Sequence, residues 1–255
     1  MLPRTVLGRR GPRLGRVTSI AANLQKIEQQ IATAAARAGR DSSEIRLLPV
    51  SKTKPPEAVL EAHAAGYRRF GENKVQEAQN KWEALREVAD IEWAVIGHLQ
   101  SNKAKYVARF ATEFQALDSL KVASELDRRL QQEGRRLEVL VQVNSSDEDQ
   151  KFGLPPQEVV TFAKQLDAFD ALDVRGLMTL ALFTDDTERI ARCFKVMRQV
   201  QQELRDVTGK GWDELSMGMS GDFELAIEYG ATCVRVGQAI FGNRLDPNAY
   251  WPGIK

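Results

Sequence analysis

Two segments far apart in the chain carry the clearest chemical potential. In Leu47-Leu48-Pro49-Val50-Ser51-Lys52-Thr53-Lys54, strand alternation puts Lys52 on the side of Leu48 and Val50. If that side faces the inside of a barrel, the amine sits at a mouth where burial disfavours the ammonium form. A neutral amine attacks an aldehyde to form a Schiff base. An exposed lysine at a strand end is the alternative from position alone, and Lys54, beside Pro55, reads as solvated.

The second segment pairs Met217-Gly218-Met219-Ser220-Gly221-Asp222 with Val234-Arg235-Val236-Gly237-Gln238-Ala239. Small residues let backbone approach an anion, and Ser220 offers a hydroxyl at an expected helix N-terminus. The competing reading is that Ser220 or Asp222 only caps that helix. Arg235 alternates with Val234 and Val236 and so points to the lumen or mouth, where a permanent cation needs a partner. That partner is either a carboxylate such as Asp118 or Glu72 or a ring nitrogen kept unprotonated, because arginine does not give up its proton. Asn73 and Asn102 read as mouth residues or helix caps. His98 reads as packed or solvent-facing, with no orienting partner in view. Lys151 lies in a polar loop whose Asp147-Glu148-Asp149 run lacks calcium-loop spacing.

Composition removes other chemistries. Two histidines and two unpaired cysteines leave no metal site to propose, and the cysteine usage suits a reducing, cytoplasmic setting. No run approaches the ~20 apolar residues of a membrane span, and no secretory core opens the chain. The net charge of +1 divides unevenly: five arginines and no acid in residues 1–17 leave −4 for the rest. This head reads as a disordered leader rather than a nucleic-acid or membrane tether, because its glycines and prolines break any helix.

The elements that must position these residues alternate. A helix is expected from residue 18 to a stop at Gly39, followed by apolar runs at 46–51, 68–72, 92–97, 113–118, 137–144, 173–181, 214–219 and 233–241. Helices start between them near Pro55, Asn73, Ser101, Ser119, Pro155, Asp185 and Asp222. Eight strands alternating with helices over ~250 residues predict an α/β fold, a (β/α)₈ barrel of the TIM type with an extra N-terminal helix. A doubly wound open sheet is the runner-up, but no G-x-G-x-x-G follows the first strand. The expected division is a leader at 1–17 and a single barrel domain at 18–255, with ligands at the carboxyl ends of the strands. Lys52 and the serine-glycine cradle are expected on opposite sides of that rim.

Together, Val50-Ser51-Lys52-Thr53-Lys54-Pro55, Phe70-Gly71-Glu72-Asn73, Ile96-Gly97-His98-Leu99-Gln100-Ser101-Asn102-Lys103, Met217-Gly218-Met219-Ser220 and Arg235-Val236-Gly237 with Ile240-Phe241-Gly242 resemble the pyridoxal phosphate homeostasis proteins. These are single-domain relatives of the alanine racemase N-terminal barrel, and the similarity runs from about 18 to 244. The resemblance implies pyridoxal 5′-phosphate joined as a Schiff base to Lys52, with its phosphate on Ser220 and the backbone of Gly237 and Gln238. It also implies Arg235 at the pyridine nitrogen, Asn73 close to the ring, and Lys151 in a loop linked to cofactor exchange. Gln238 departs from the threonine common in the family. The chain stops soon after Arg244, so the racemases' second catalytic residue is not expected. The implied function is a non-catalytic, monomeric, cytoplasmic carrier acting in vitamin B6 and amino-acid homeostasis, with apoenzymes as partners and no nucleic acid or membrane. An amino-acid racemase using Lys52 and His98 is the alternative.

Overall fold

The computed structural model describes residues 19–146, 148 and 152–242. The basic head 1–17, Lys151 and the stretch 243–255 lie outside the described residues. Eight short strands run parallel: β1 (Arg46–Pro49), β2 (Arg69–Glu72), β3 (Glu92–Val95), β4 (Glu113–Leu117), β5 (Leu137–Gln142), β6 (Leu172–Met178), β7 (Glu214–Ser216) and β8 (Cys233–Val236). They are ordered β1-β8-β7-β6-β5-β4-β3-β2. A bridge between Val50 and Gly71, and the Ser51 N–H donating to Gly71 O at 3.1 Å, bring β1 back to β2. The result is a nearly closed (β/α)₈ barrel with all eight expected strands.

The helices are α1 (Ile20–Arg37), α2 (Pro56–Ala64), α3 (Val75–Ala84), α4 (Ala104–Phe110), α5 (Leu120–Glu133), α6 (Val159–Gln165), α7 (Thr187–Thr208), α8 (Phe223–Glu228) and α9 (Gln238–Phe241). The expected run 233–241 is therefore only half strand. It breaks at Gly237, and Ala239-Ile240-Phe241, apolar enough to read as strand, turns into α9. Short apolar runs carry no periodicity that separates the two states.

The expected extra helix is α1, which precedes the first strand. α1 packs against α8, α9 and α2 and so fills the place between the last helices and the first. Ser19 accepts from the Ala22 N–H at 3.2 Å to start it, and Leu24, Ile27, Ile31, Ala34 and Ala35 bury its inner face. At ~1.5–3 kcal/mol per large buried side chain, this face holds α1 in place. Asn23 Nδ2 donates to Ile240 O at 2.8 Å, and Arg40 Nη1 donates to the carbonyls of Ile227 and Ala231.

The lumen is layered. At its amino end, Arg46 makes a two-pronged pair with Glu113 (2.9 and 3.1 Å) and reaches Glu214 at 3.1 Å. Arg69 reaches Glu92 at 2.6 Å, Glu113 at 2.6 Å and Glu138 at 2.8 Å. Burial pushes the Glu113 carboxyl up, but Arg46, Gln115 and Arg69 outweigh it and hold it below the usual carboxylate range. Above this floor Leu48, Ala94 and Cys233 form a small apolar cluster with Ile96, separate from the main core between barrel and helices. Leu48 thus lies on the lumen face, as alternation toward Lys52 requires.

Candidate functional site

The site is built from the carboxyl-end loops. β1 stops at Pro49, and the chain turns where Thr53 adopts a φ of 62°, a left-handed conformation unusual for a β-branched residue. The turn closes with the Lys54 N–H donating to Ser51 O at 3.0 Å. Lys52 is half-buried at the mouth. Lys54 is not solvated as expected: it is 6% exposed, and burial shifts its ammonium downward. The left-handed turn carries the chain back on itself, a step that strand alternation cannot foresee.

Behind this turn lies a group of charges not singled out as a site from the sequence. The Lys81 amine is fully buried and donates to Ser51 O (2.7 Å), Glu72 Oε1 (2.6 Å) and Glu77 Oε1 (2.8 Å). Ser51 Oγ donates to Glu72 Oε1 at 2.6 Å, and the Thr53 N–H donates to Glu77 Oε1 at 2.5 Å. Burial pushes the Glu72 carboxyl up to about 7; Lys81 opposes this and Glu77 adds to it. Its Oε2 is buried with no hydrogen-bond partner. Glu77 and Lys81 stand one helical turn apart, so their pairing was visible in the spacing; their burial was not.

The serine-glycine turn expected to cradle an anion sits beside the lysine loop, not across the rim from it. β1 pairs with β8, Val50 N–H donates to Val236 O at 2.9 Å, and a Cβ on Gly237 would stand 3.0 Å from Val50 O. A closed barrel makes its first and last strands neighbours, which corrects the expected separation. The β7 loop joins the same sector through the Arg235 N–H donating to Gly218 O at 3.0 Å. Gly218 has a φ of 93°, and a side chain there would come within 2.8 Å of the Phe223 backbone, so glycine alone suits the turn.

Ser220 is partly exposed, Gly237 is half-buried and Gln238 is exposed at the start of α9. Asp222 stands at the N-cap position of α8 but makes no side-chain cap; its carboxylate accepts from the Met219 N–H at 2.5 Å and so shapes the loop. Burial pushes that carboxyl up. Ser220 is not the cap either. Ser220, Gly221 and Asp222 also line a cleft of about 410 Å³ against Asn23, Lys26 and Gln30 of α1.

Arg235 is 3% exposed and points into the lumen, but its partners are neither Asp118 nor Glu72. Nη1 donates to Ser216 Oγ at 2.6 Å and Nη2 to Thr179 O at 2.7 Å. Ser216 Oγ donates to Gln115 Oε1 at 2.7 Å, and Gln115 Nε2 donates to Glu113. A continuous chain of hydrogen bonds therefore links the mouth to the floor. Glu72 faces the other way, toward Lys81. Thr179, Ser216 and Gln115 were missed; lumen-facing alternation with Arg235 was the signal that could have found the last two.

Asn73 lies exposed just beyond β2, and α3 starts from Lys74 without a side-chain cap; Asn102 sits inside the short 3₁₀ turn Ser101–Lys103. His98 is solvent-facing at the rim, stacked on the exposed Phe152 with ring centres 3.9 Å apart, and it does have a neighbour: its Nδ1 stands 3.8 Å from Asp118 Oδ2. Burial pushes the Asp118 carboxyl up, with His98 and the Gly153 N–H opposing. Phe152 and Gly153 are where the described chain resumes after Lys151.

An amine, a glycine-lined turn and a buried guanidinium thus gather on the carboxyl rim of a (β/α)₈ barrel. The chain belongs to the alanine racemase N-terminal domain family, whose model matches residues 22–245, and within it to the pyridoxal phosphate homeostasis proteins. It is 40% identical over 228 residues to the pyridoxal phosphate homeostasis protein of Haemophilus influenzae, covering 89% of this chain and 96% of that one. The Vibrio cholerae protein of the same name is 42% identical over 232 residues, covering 89% and 97%. Among solved structures, PipY of Synechococcus elongatus with PLP bound matches with a TM-score of 0.78 and 34% identity, covering 88% of this chain and all of that one.

Proposed function

We propose that this protein holds pyridoxal 5′-phosphate covalently on Lys52 and acts in cofactor and amino-acid homeostasis without turning over a substrate. The observation that carries the reading is the adjacency of the Lys52 turn, the Gly218–Ser220 turn and Gly237 on one sector of the rim. The donor set fits the group: an amine for an aldehyde, small-residue backbone for a phosphate, and a permanent cation for a ring nitrogen. When bound, pyridoxal 5′-phosphate supplies an aldehyde that condenses with a primary amine as water leaves.

Lys52 provides that amine in surroundings whose burial already disfavours the ammonium of Lys54. Ser220 Oγ and the N–H groups of Gly237 and Gln238 donate to the phosphate. Arg235, fixed by Ser216 and Thr179, faces the ring nitrogen and keeps it unprotonated, which weakens the ring as an electron sink and favours retention over chemistry. Asn73 flanks the ring, and Lys151 serves exchange. The barrel domain spans 18–255, outside the leader 1–17. The protein acts as a cytoplasmic monomer that passes its cofactor to apoenzymes.

The test is borohydride reduction of purified protein followed by peptide mapping. The expected result is one reduced adduct, on Lys52, and no adduct together with loss of the near-420 nm absorbance in Lys52→Ala, since a Schiff base needs a primary amine. An unchanged band in that variant would overturn the reading. A racemase using Lys52 and His98 gains some support from the approach of His98 to Asp118. It requires solvent deuterium to enter the amino-acid Cα during turnover, whereas the proposal expects none across a panel of substrates.

A further inference from the structure

The charges behind the lysine turn are expensive to bury. Three ionisable side chains, Glu72, Glu77 and Lys81, are each under a tenth exposed, and well-packed apolar residues commonly replace such a group without loss of stability. Packing therefore does not explain them; their partners do. Lys81 uses its three donors on Ser51 O, Glu72 and Glu77. Each carboxylate then holds one neighbour of Lys52: Glu72 takes the Ser51 hydroxyl and Glu77 takes the Thr53 N–H. Lys52 lies between the two gripped residues. Thr53 sits at a φ of 62°, a conformation a threonine leaves unless its surroundings hold it.

We infer that Glu72, Glu77 and Lys81 form a positioning clamp that holds the Lys52 turn in its strained shape and thereby sets how long the cofactor stays on the protein. This rests on the proposed function, because it takes Lys52 as the attachment point. None of the three is a catalytic residue: all act through the backbone on either side of the lysine. Glu77 is the grip that matters most for the strain, since its oxygen meets the amide of the strained residue itself.

The test uses the full-length protein loaded with radiolabelled pyridoxal 5′-phosphate and chased with unlabelled cofactor, with urea unfolding measured in parallel. Glu77→Ala is expected to exchange label about tenfold faster, the scale of one lost hydrogen bond to a charged group. Glu77→Gln is expected to stay within about twofold of the parent, because an amide oxygen still accepts from the Thr53 N–H. Thr53→Gly is expected to keep parental exchange while unfolding at equal or higher urea, and to blunt the effect of Glu77→Ala when the two are combined, because glycine takes a positive φ without strain and needs no grip.

A purely structural role costs the same in either background, so recovery of slow exchange in Glu77→Ala/Thr53→Gly relative to Glu77→Ala is the diagnostic result. Parental exchange in Glu77→Ala, or an equally fast double variant, with label still on Lys52, would overturn the clamp alone. Should Glu77→Ala fail to fold, Glu77→Asp, whose shorter side chain withdraws the oxygen from the Thr53 N–H, takes its place. Absence of label on Lys52 in the parent would instead overturn the functional reading beneath it.

Discussion

The two ends of the barrel treat buried charge in opposite ways. At the floor, Glu113 is surrounded by Arg46 and Arg69, and its carboxyl is held down despite burial. Beside the mouth, Glu72 shares one lysine with Glu77, keeps an oxygen without a partner, and is pushed up to about 7. Cations meet the floor carboxylates from two sides, which makes the floor a plug. The mouth network is short of cations, and its hydrogen bonds go to backbone instead, which makes it a support for a loop. Buried ion networks are thus not one kind of feature: which atoms they spend their donors on tells stability from positioning.

Substitutions can sharpen this contrast. Glu113→Ala is expected to have the largest effect, about 3 kcal/mol in urea unfolding, because it strips a buried carboxylate from two guanidiniums. Both arginines keep some solvent access, which limits the loss. Cofactor bound per folded molecule should not change; if it drops, the floor and the mouth are coupled through Gln115 and Ser216. Arg235→Leu is expected to reverse the pattern, costing about 1 kcal/mol of stability for the hydrogen bonds to Ser216 and Thr179 while raising the cofactor dissociation constant about tenfold. An equilibrium titration beside an unfolding curve checks both.

The two carboxylates should also part in their pH dependence. Glu113 is lowered in the fold, so its contribution is present above the ordinary value of 4.5 and lost as pH falls through the folded value. Glu72 is raised, so its contribution is present below 4.5 and lost as pH rises through about 7. Glu72→Gln, which leaves Lys81, Glu77 and Ser51 in place around it, is therefore expected to gain stability relative to the parent between pH 5 and pH 8. Urea midpoints at the two pH values check it, and a parallel fall in both proteins would contradict the assignment. The smallest effect is expected at Arg37, whose exposed pair with Glu224 joins α1 to α8: Arg37→Ala should change stability by less than about 1 kcal/mol.

Much of this frame was legible in the residues. Parallel strands buried on both faces read as apolar runs, so all eight were found, and Gly39 and the prolines marked helix ends. Leu48 facing the lumen justified looking at Lys52, and Arg235 was placed in the lumen by alternation alone. What was not legible arises from closure and from turns. Nothing local says that the residues after β8 lie beside those after β1, which misplaced the cradle. A left-handed Thr53 hid the burial of Lys54. Glu77 and Lys81 were not singled out, because spacing reveals a partner but not the side of the helix that is covered. Of the two partners expected for Arg235, a carboxylate or a ring nitrogen, the carboxylate gives way to a hydroxyl and a carbonyl, groups that no charge pattern announces.

The placement of α1 has a consequence for how the molecule is made. Its Asn23 holds Ile240, 217 residues later in the chain, so α1 waits for α9 to be synthesised before its apolar stripe is covered. At ~5–20 residues per second of synthesis, Leu24, Ile27 and Ile31 stay exposed to solvent for tens of seconds. During that interval the nascent chain offers a greasy surface to any chaperone near the exit tunnel, and variants that weaken α1 should show first as lower yield during translation rather than as altered chemistry in the finished protein.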